Sequence, residues 1–361
     1  MASGTDALQE SWEGGVDLDR RGIIVDAHVH VLPDPLGAIL DRTSNLTGVD
    51  GQVLVGVKSR VRSVFRPVSH LVHRAYSGLR HFPFGVRLGV EELGSFLPGA
   101  GLMVESSASD LLESMDRNQI TSAILIAHPP VTSNERVLEL AREHSDRIIP
   151  AVNYGRGCGL TDEEAQTAFR RAIDQREGAL LLKIHAASDG DDAESQRYRA
   201  LLDIASDFSV PVILHTGCIQ AHLIHRSPSL GEPSRFRSWF ADWPRLPFIL
   251  AHMNMHDPGS ALDLGEEFSN IYLDTSWQPA EVVVEAVRRV GSGRVFFGSD
   301  WPLIGNNQAV ALGRIDQALA SGYITQEDAA GIRGENLANL LKASFTEARA
   351  RVLEARTKGE N

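Results

Sequence analysis

Eight short runs rich in Val, Ile and Leu recur along this chain, and the amphipathic segments between them leave few folds open. The runs are Ile23–Val31, Ile120–Ala127, Arg147–Asn153, Ala179–His185, Val210–His215, Phe248–His252, Asn270–Asp274 and Arg294–Asp300. Helical periodicity fills the gaps at Ala108–Asn118, Asn134–His144, Thr161–Gln175, Ala193–Phe208, Pro258–Phe268, Ala280–Val290 and Asn307–Ser321. The less regular Gly217–Pro247 offers Ser234–Asp242 as the remaining helix. Strands that are apolar throughout are buried on both faces, and alternation with helices makes their sheet parallel. A closed barrel and an open doubly wound sheet both satisfy that pattern. The polar residues separate them, because six of the eight runs carry His, Lys or Asp at or near the C-terminal end. Barrel enzymes gather their sites at that face. The expected fold is therefore α/β, a (β/α)8 TIM barrel with a long insertion after the first strand.

The 361 residues fit one such unit. Residues 1–22 read as a flexible polar arm, 23–345 as the barrel with 32–106 as its insertion, and 346–361 as a helical tail. Two cysteines, Cys158 and Cys218, argue against a disulfide scaffold. Met1–Arg21 lacks the apolar centre of a signal peptide, and no run is long enough to span a bilayer. The expectation is a soluble cytoplasmic protein. A net charge of -12 disfavours nucleic acid. The expected partner is a small-molecule substrate, with no nucleic acid and no membrane, and a homo-oligomer is left open.

Asp26, His28 and His30 alternate along the first run, so all three can share one face of a strand. Two neutral imidazoles at that spacing can chelate one cation, and Asp26 could orient one of them by a hydrogen bond. His215 and His252 each close an apolar run, and Asp300 closes the last. A lone histidine at a strand end usually satisfies a local hydrogen bond. Histidines and an aspartate at four strand ends of one barrel instead describe a metal site.

The strings IIVDAHVHVLP, LLLKIHA, PVILHTG, FILAHMN and VFFGSDWP, in that order, resemble the amidohydrolase-related branch of the amidohydrolase superfamily. LLESMDRNQITSAILIA resembles its second βα unit and ENLANLLK its closing helix. The resemblance spans roughly residues 23–345 without the insertion. It implies metal ligands His28, His30, His215 and Asp300, with His252 beside the metal-activated water. One divalent ion is implied, zinc first and manganese second. Binuclear relatives carry a carboxylated lysine on strand four, here Lys183, which would bring a second metal with His215 and His252; mononuclear relatives keep that lysine unmodified. The branch includes hydrolases of amides, esters and lactones, and non-oxidative decarboxylases similar to the aminocarboxymuconate-semialdehyde enzyme. Fold and motif thus identify a site and not a substrate.

Unmodified, Lys183 would bind an anionic substrate group or simply lie in the polar mouth. His185, two residues on, is either a substrate contact or a structural histidine. Cys218 reads as a small buried residue. Trp301 and Pro302, with Trp277 above strand seven, are expected to shape the pocket wall, and Asn306 and Asn307 to bond substrate or cap a helix. The insertion is basic: Gln52–Val90 has no Asp or Glu but carries Arg60, Arg62, Arg66, Arg74 and Arg80 among others. It is read either as a lid recruiting a carboxylate or phosphate, with Arg60, Arg62 and Arg66 as candidate contacts, or as an excursion facing acidic surface.

The expected chemistry follows. The metal acidifies water, Asp300 accepts its proton, and His252 or Lys183 polarises the scissile carbonyl. Hydrolysis of a C–N or C–O bond comes first, decarboxylation of an unsaturated or aromatic acid second, and phosphoester cleavage third.

Overall fold

The structure is a computed structural model that describes residues 15–32, 78–83, 86, 105–217, 227–303 and 307–358. Most of the basic insertion, with Arg60, Arg62 and Arg66, lies outside the described residues, as do Cys218 and Asn306. Eight parallel strands follow one another in a single sheet: β1 Val25–Val29, β2 Ser122–Ile126, β3 Ile148–Val152, β4 Leu181–Ile184, β5 Val212–His215, β6 Phe248–Ala251, β7 Ile271–Asp274 and β8 Val295–Phe296. The ring closes between β8 and β1. Ala27 N donates to Phe297 O at 2.8 Å, Asp300 N to His28 O at 2.8 Å and His30 N to Trp301 O at 2.7 Å. The sheet is thus the expected barrel.

Helices stand between the strands, and their ends are set by local chemistry. Ser107 starts Ala108–Arg117 and Thr161 starts Asp162–Gln175, each through a capping box with the acid three residues on. Asp162–Gln175 buries Ala165, Phe169, Ala172 and Ile173, the stripe that a 3.6-residue period presents to a core. The irregular Gly217–Pro247 region supplies a short helix, Arg237–Asp242, after two 3-10 turns that begin at Pro228 and Pro233.

Alternation along the strands divides the core in two. Residues such as Leu125, Leu182, Leu214 and Leu250 pack outward against the helices. Their neighbours Ile124, Leu181, Ile213 and Ile249 fill the barrel interior, joined by Leu337, Leu341 and Phe345 of the terminal helix Asn336–Lys358. That helix closes the N-terminal end of the barrel. The polar residues are left to the other end.

Two differences from the sequence pattern matter for the site. The last apolar run pairs as a regular strand only over Val295–Phe296, and Asp300 then takes a positive φ of 58°. β1 carries a register shift between Asp26 and Val29. The Asp26 carboxylate turns away from both imidazole rings: it accepts from Ser299 N at 3.0 Å, Ser299 Oγ at 2.6 Å, Gln308 Nε2 at 3.0 Å and the His28 amide at 3.2 Å. It ties β1 to the segment that carries Asp300.

Candidate functional site

Six imidazoles form a closed circuit at the C-terminal end of the barrel. Neighbouring ring centroids are 5.1 Å apart for His28 and His30, 6.0 Å for His30 and His128, and 5.2 Å for His128 and His185. The circuit continues at 3.7 Å for His185 and His215, 5.0 Å for His215 and His252, and 4.6 Å for His252 and His28. The donor atoms of His28, His252 and Asp300 lie within 4.8 Å of one another, all buried. Lys183 is also buried, and its Nζ has no hydrogen-bond partner among the described residues.

Hydrogen bonds on the far side of each ring decide what faces inward. His28 Nδ1 is 2.8 Å from Asp274 Oδ2, and His30 Nδ1 is 3.2 Å from the carbonyl oxygen of Ile126. Both partners accept, so both rings carry the proton on Nδ1 and leave a lone pair on Nε2. The two Nε2 atoms stand 3.2 Å apart, and Asp300 Oδ1 lies 3.5 Å from one and 3.4 Å from the other. Three acceptors thus face one another with no hydrogen between them, an arrangement that a cation resolves.

The charges agree with a cation site. Burial lowers His28 well below the usual histidine range, with the Lys183 ammonium adding to the effect. Burial also takes His252 down to about 3, against the pull of Asp300. Both rings are neutral at physiological pH, the form in which imidazole ligates metals. Burial pushes the Asp300 carboxyl upward, but the charge that His252 and His28 take up in acid outweighs it and holds the group well below the carboxylate range. Lys183 is lowered by burial to about 8, with Asp300 and Asp274 opposing, so it is still mostly charged at pH 7.

Backbone strain collects at the same end. His252, Met253, Asn254, Met255, Trp277 and Asp300 all have positive φ. Single residues in that region are costly and persist where surrounding bonds hold them. Gln278 Nε2 clamps His252 O at 2.5 Å and Met255 O at 2.9 Å, and Asn254 N donates to Thr216 Oγ1 at 2.9 Å. The turn after β6 thereby swings His252 into the circuit.

The residues expected from sequence are placed as follows. His28, His30, His252, Asp300 and Lys183 converge. His215 stands in the circuit with its ring stacked 3.7 Å from His185 at 14°. His185 also caps the short helix Ala186–Asp189, accepting from Ser188 N at 3.3 Å. Trp301 is fully buried in the apolar cluster between strands and helices. Trp277 does more than shape a wall, because its Nε1 donates to Asp300 Oδ2 at 2.7 Å. The hydrogen bond expected of Asp26 toward a histidine ring is made instead by Asp274. His128, Asp274 and Ser276 join the site without a motif in the sequence to announce them. His128 directly follows one apolar run and Asp274 closes another, so the strand-end rule that picked out His215 also reaches both.

Gly298 explains how Asp274 fits. A Cβ at this position would lie 2.0 Å from Asp274 Oδ1. Gly298→Ala is expected to displace the carboxylate from His28, weakening metal binding about 10- to 100-fold and lowering stability by about 1–3 kcal/mol. Zinc titration and thermal melting of the variant measure both; an unchanged zinc affinity would mean that Asp274 does not need that contact.

Comparison with known proteins gives a consistent outline. A family model described as amidohydrolase matches residues 25–342. No curated protein matches the chain. Among solved structures, it is similar to an uncharacterized TIM-barrel protein from Bordetella bronchiseptica, with 16% identity and a TM-score of 0.59 over 89% of this chain and 99% of that one. It is also similar to 5-carboxyvanillate decarboxylase from Novosphingobium aromaticivorans complexed with manganese and 4-hydroxy-3-methoxy-5-nitrobenzoic acid, with 11% identity and a TM-score of 0.54 over 91% and 98%. A third is 4-oxalomesaconate hydratase from Rhodopseudomonas palustris, with 14% identity and a TM-score of 0.53 over 94% and 100%. At these identities the likeness is one of fold. No helix among the described residues is long and apolar enough to cross a membrane.

Proposed function

The chain belongs to the amidohydrolase family, and from that premise we propose that it is a metal-dependent hydrolase cleaving a C–N or C–O bond of a small anionic substrate. The observation that carries this reading is the set of inward acceptors, His28 Nε2, His30 Nε2 and Asp300 Oδ1, facing one another beside a buried ammonium. One divalent ion, zinc or manganese, would be held by His28, His30, His215 and Asp300, with His252 Nε2 at the edge of the same space. When bound it supplies Lewis acidity toward water and a carbonyl oxygen.

The protein's own groups do the rest. Asp300 Oδ1 is turned toward His28 and His30, so Oδ2, 3.9 Å from His252 Nε2, is the atom to take the proton of the attacking water. Trp277 Nε1 fixes that oxygen's direction. The same proton then goes to the leaving nitrogen or oxygen. Lys183 supplies positive charge for an acidic group of the substrate or for the oxyanion.

A second reading, non-oxidative decarboxylation, draws support from the Lys183 ammonium, which has no hydrogen-bond partner among the described residues and suits a substrate carboxylate, and from the decarboxylase among the similar folds. Product analysis on a panel of lactones, amides, aromatic acids and phosphoesters separates the readings. Acid release with water uptake is the expected result, carbon dioxide would favour the second reading, and inorganic phosphate would displace both. Elemental analysis is expected to find one ion per chain; two ions after purification with bicarbonate and excess metal would point to a carboxylated Lys183.

A further inference from the structure

We propose that Ser276 is a positioning residue that fixes which nitrogen of His252 carries the proton, making His252 an acceptor and leaving Lys183 as the donor of the site. Ser276 is fully buried, and its hydroxyl oxygen has two polar neighbours among the described residues: Asp274 Oδ2 at 2.9 Å and His252 Nδ1 at 2.7 Å. A hydroxyl has one hydrogen to give. The Asp274 carboxylate only accepts, taking the Ser276 amide on Oδ1 at 2.7 Å and His28 Nδ1 on Oδ2 at 2.8 Å. The Ser276 hydrogen therefore points at Asp274. What it turns to His252 is a lone pair, and only an N–H at Nδ1 can meet that. In a neutral ring Nε2 is then bare.

One carboxylate thus sets two rings, His28 directly and His252 through a hydroxyl, with both lone pairs aimed at the same space. Asp300 Oδ2, 3.9 Å from His252 Nε2, favours the opposite tautomer but lies beyond hydrogen-bond reach. The consequence separates two roles that the sequence left joined. Neutral His252 cannot donate to a developing oxyanion, although it can accept from water. Lys183 carries only donors, and Nζ is free of hydrogen-bond partners among the described residues. This division of roles rests on the hydrolytic reading above; the tautomer does not.

The test is a long-range proton–nitrogen NMR spectrum of the full chain labelled with nitrogen-15 in its histidine rings, first stripped of metal by a chelator and then titrated with zinc. The His252 signals are identified by their loss in His252→Gln. The expected wild-type result is Nδ1 protonated and Nε2 unprotonated in the metal-free chain. Ser276→Ala should move the majority of His252 to the Nε2–H form, and Ser276→Thr, which keeps the hydroxyl, should restore the original pattern. Wild-type His252 protonated on Nε2 overturns the proposal without any variant being needed, and so does a Ser276→Ala spectrum identical to wild type. The expected tautomer in a chain that binds no zinc would support the role of Ser276 and overturn the metal-dependent reading instead.

Discussion

Replacing Asp300 with asparagine is expected to slow turnover by about a hundred- to ten-thousand-fold, the range spanned by positioned proton acceptors. Asparagine keeps the size of the side chain but cannot take a proton at neutral pH. The surroundings add a second effect. Trp277 Nε1 lies 2.7 Å from Oδ2 and can only donate, so the carbonyl oxygen of the substituted amide would turn to the indole. Its NH2 would then face His28 and His30, where a ligand oxygen is wanted. Asp300→Asn should consequently bind metal more weakly as well. Trp277→Phe in the same chain should return part of the metal without returning turnover. Turnover within threefold of wild type in Asp300→Asn would remove this residue from the chemical step.

Loss of the metal should be as severe. His28→Ala is expected to weaken zinc binding by well over the roughly 10- to 100-fold cost of losing a ligand-orienting partner, because it removes a ligand and strands Asp274. Among the described residues Asp274 Oδ2 would keep only Ser276 Oγ as a partner, a buried carboxylate short of a bond. Burial already raises the Asp274 carboxyl above its ordinary range, and the variant should raise it further. Elemental analysis after dialysis should find His28→Ala empty and inactive, and chelation should bring wild type to the same state, reversibly. A His28→Ala protein that keeps one ion per chain would place the metal elsewhere.

The barrel was legible in the sequence because its evidence is repeated: eight apolar runs, seven of them followed by a segment of helical period. The convergence of His28, His30, His252, Lys183 and Asp300 was legible for a related reason, since every strand of a parallel barrel delivers its C-terminal end to the same place. What could not be read was which of two aspartates holds His28. Period-two alternation offered Asp26 as able to orient one of the two rings, but its carboxylate bonds Ser299, Gln308 and the His28 amide instead. Asp274, which does hold it, lies 246 residues away, and only three-dimensional closure brings the two together. Trp301 shows the converse. It follows Asp300 directly, but the turn that presents Asp300 sends the indole into the layer beneath the helices.

The terminal helix has a bearing on traffic as well as on packing. Leu337, Leu341 and Phe345 stopper the barrel from below, and the strand residues above them leave no bore through its centre. The site is a blind well. Whatever enters must leave by the rim it came in through, so a spent molecule has to clear the well before its successor can descend.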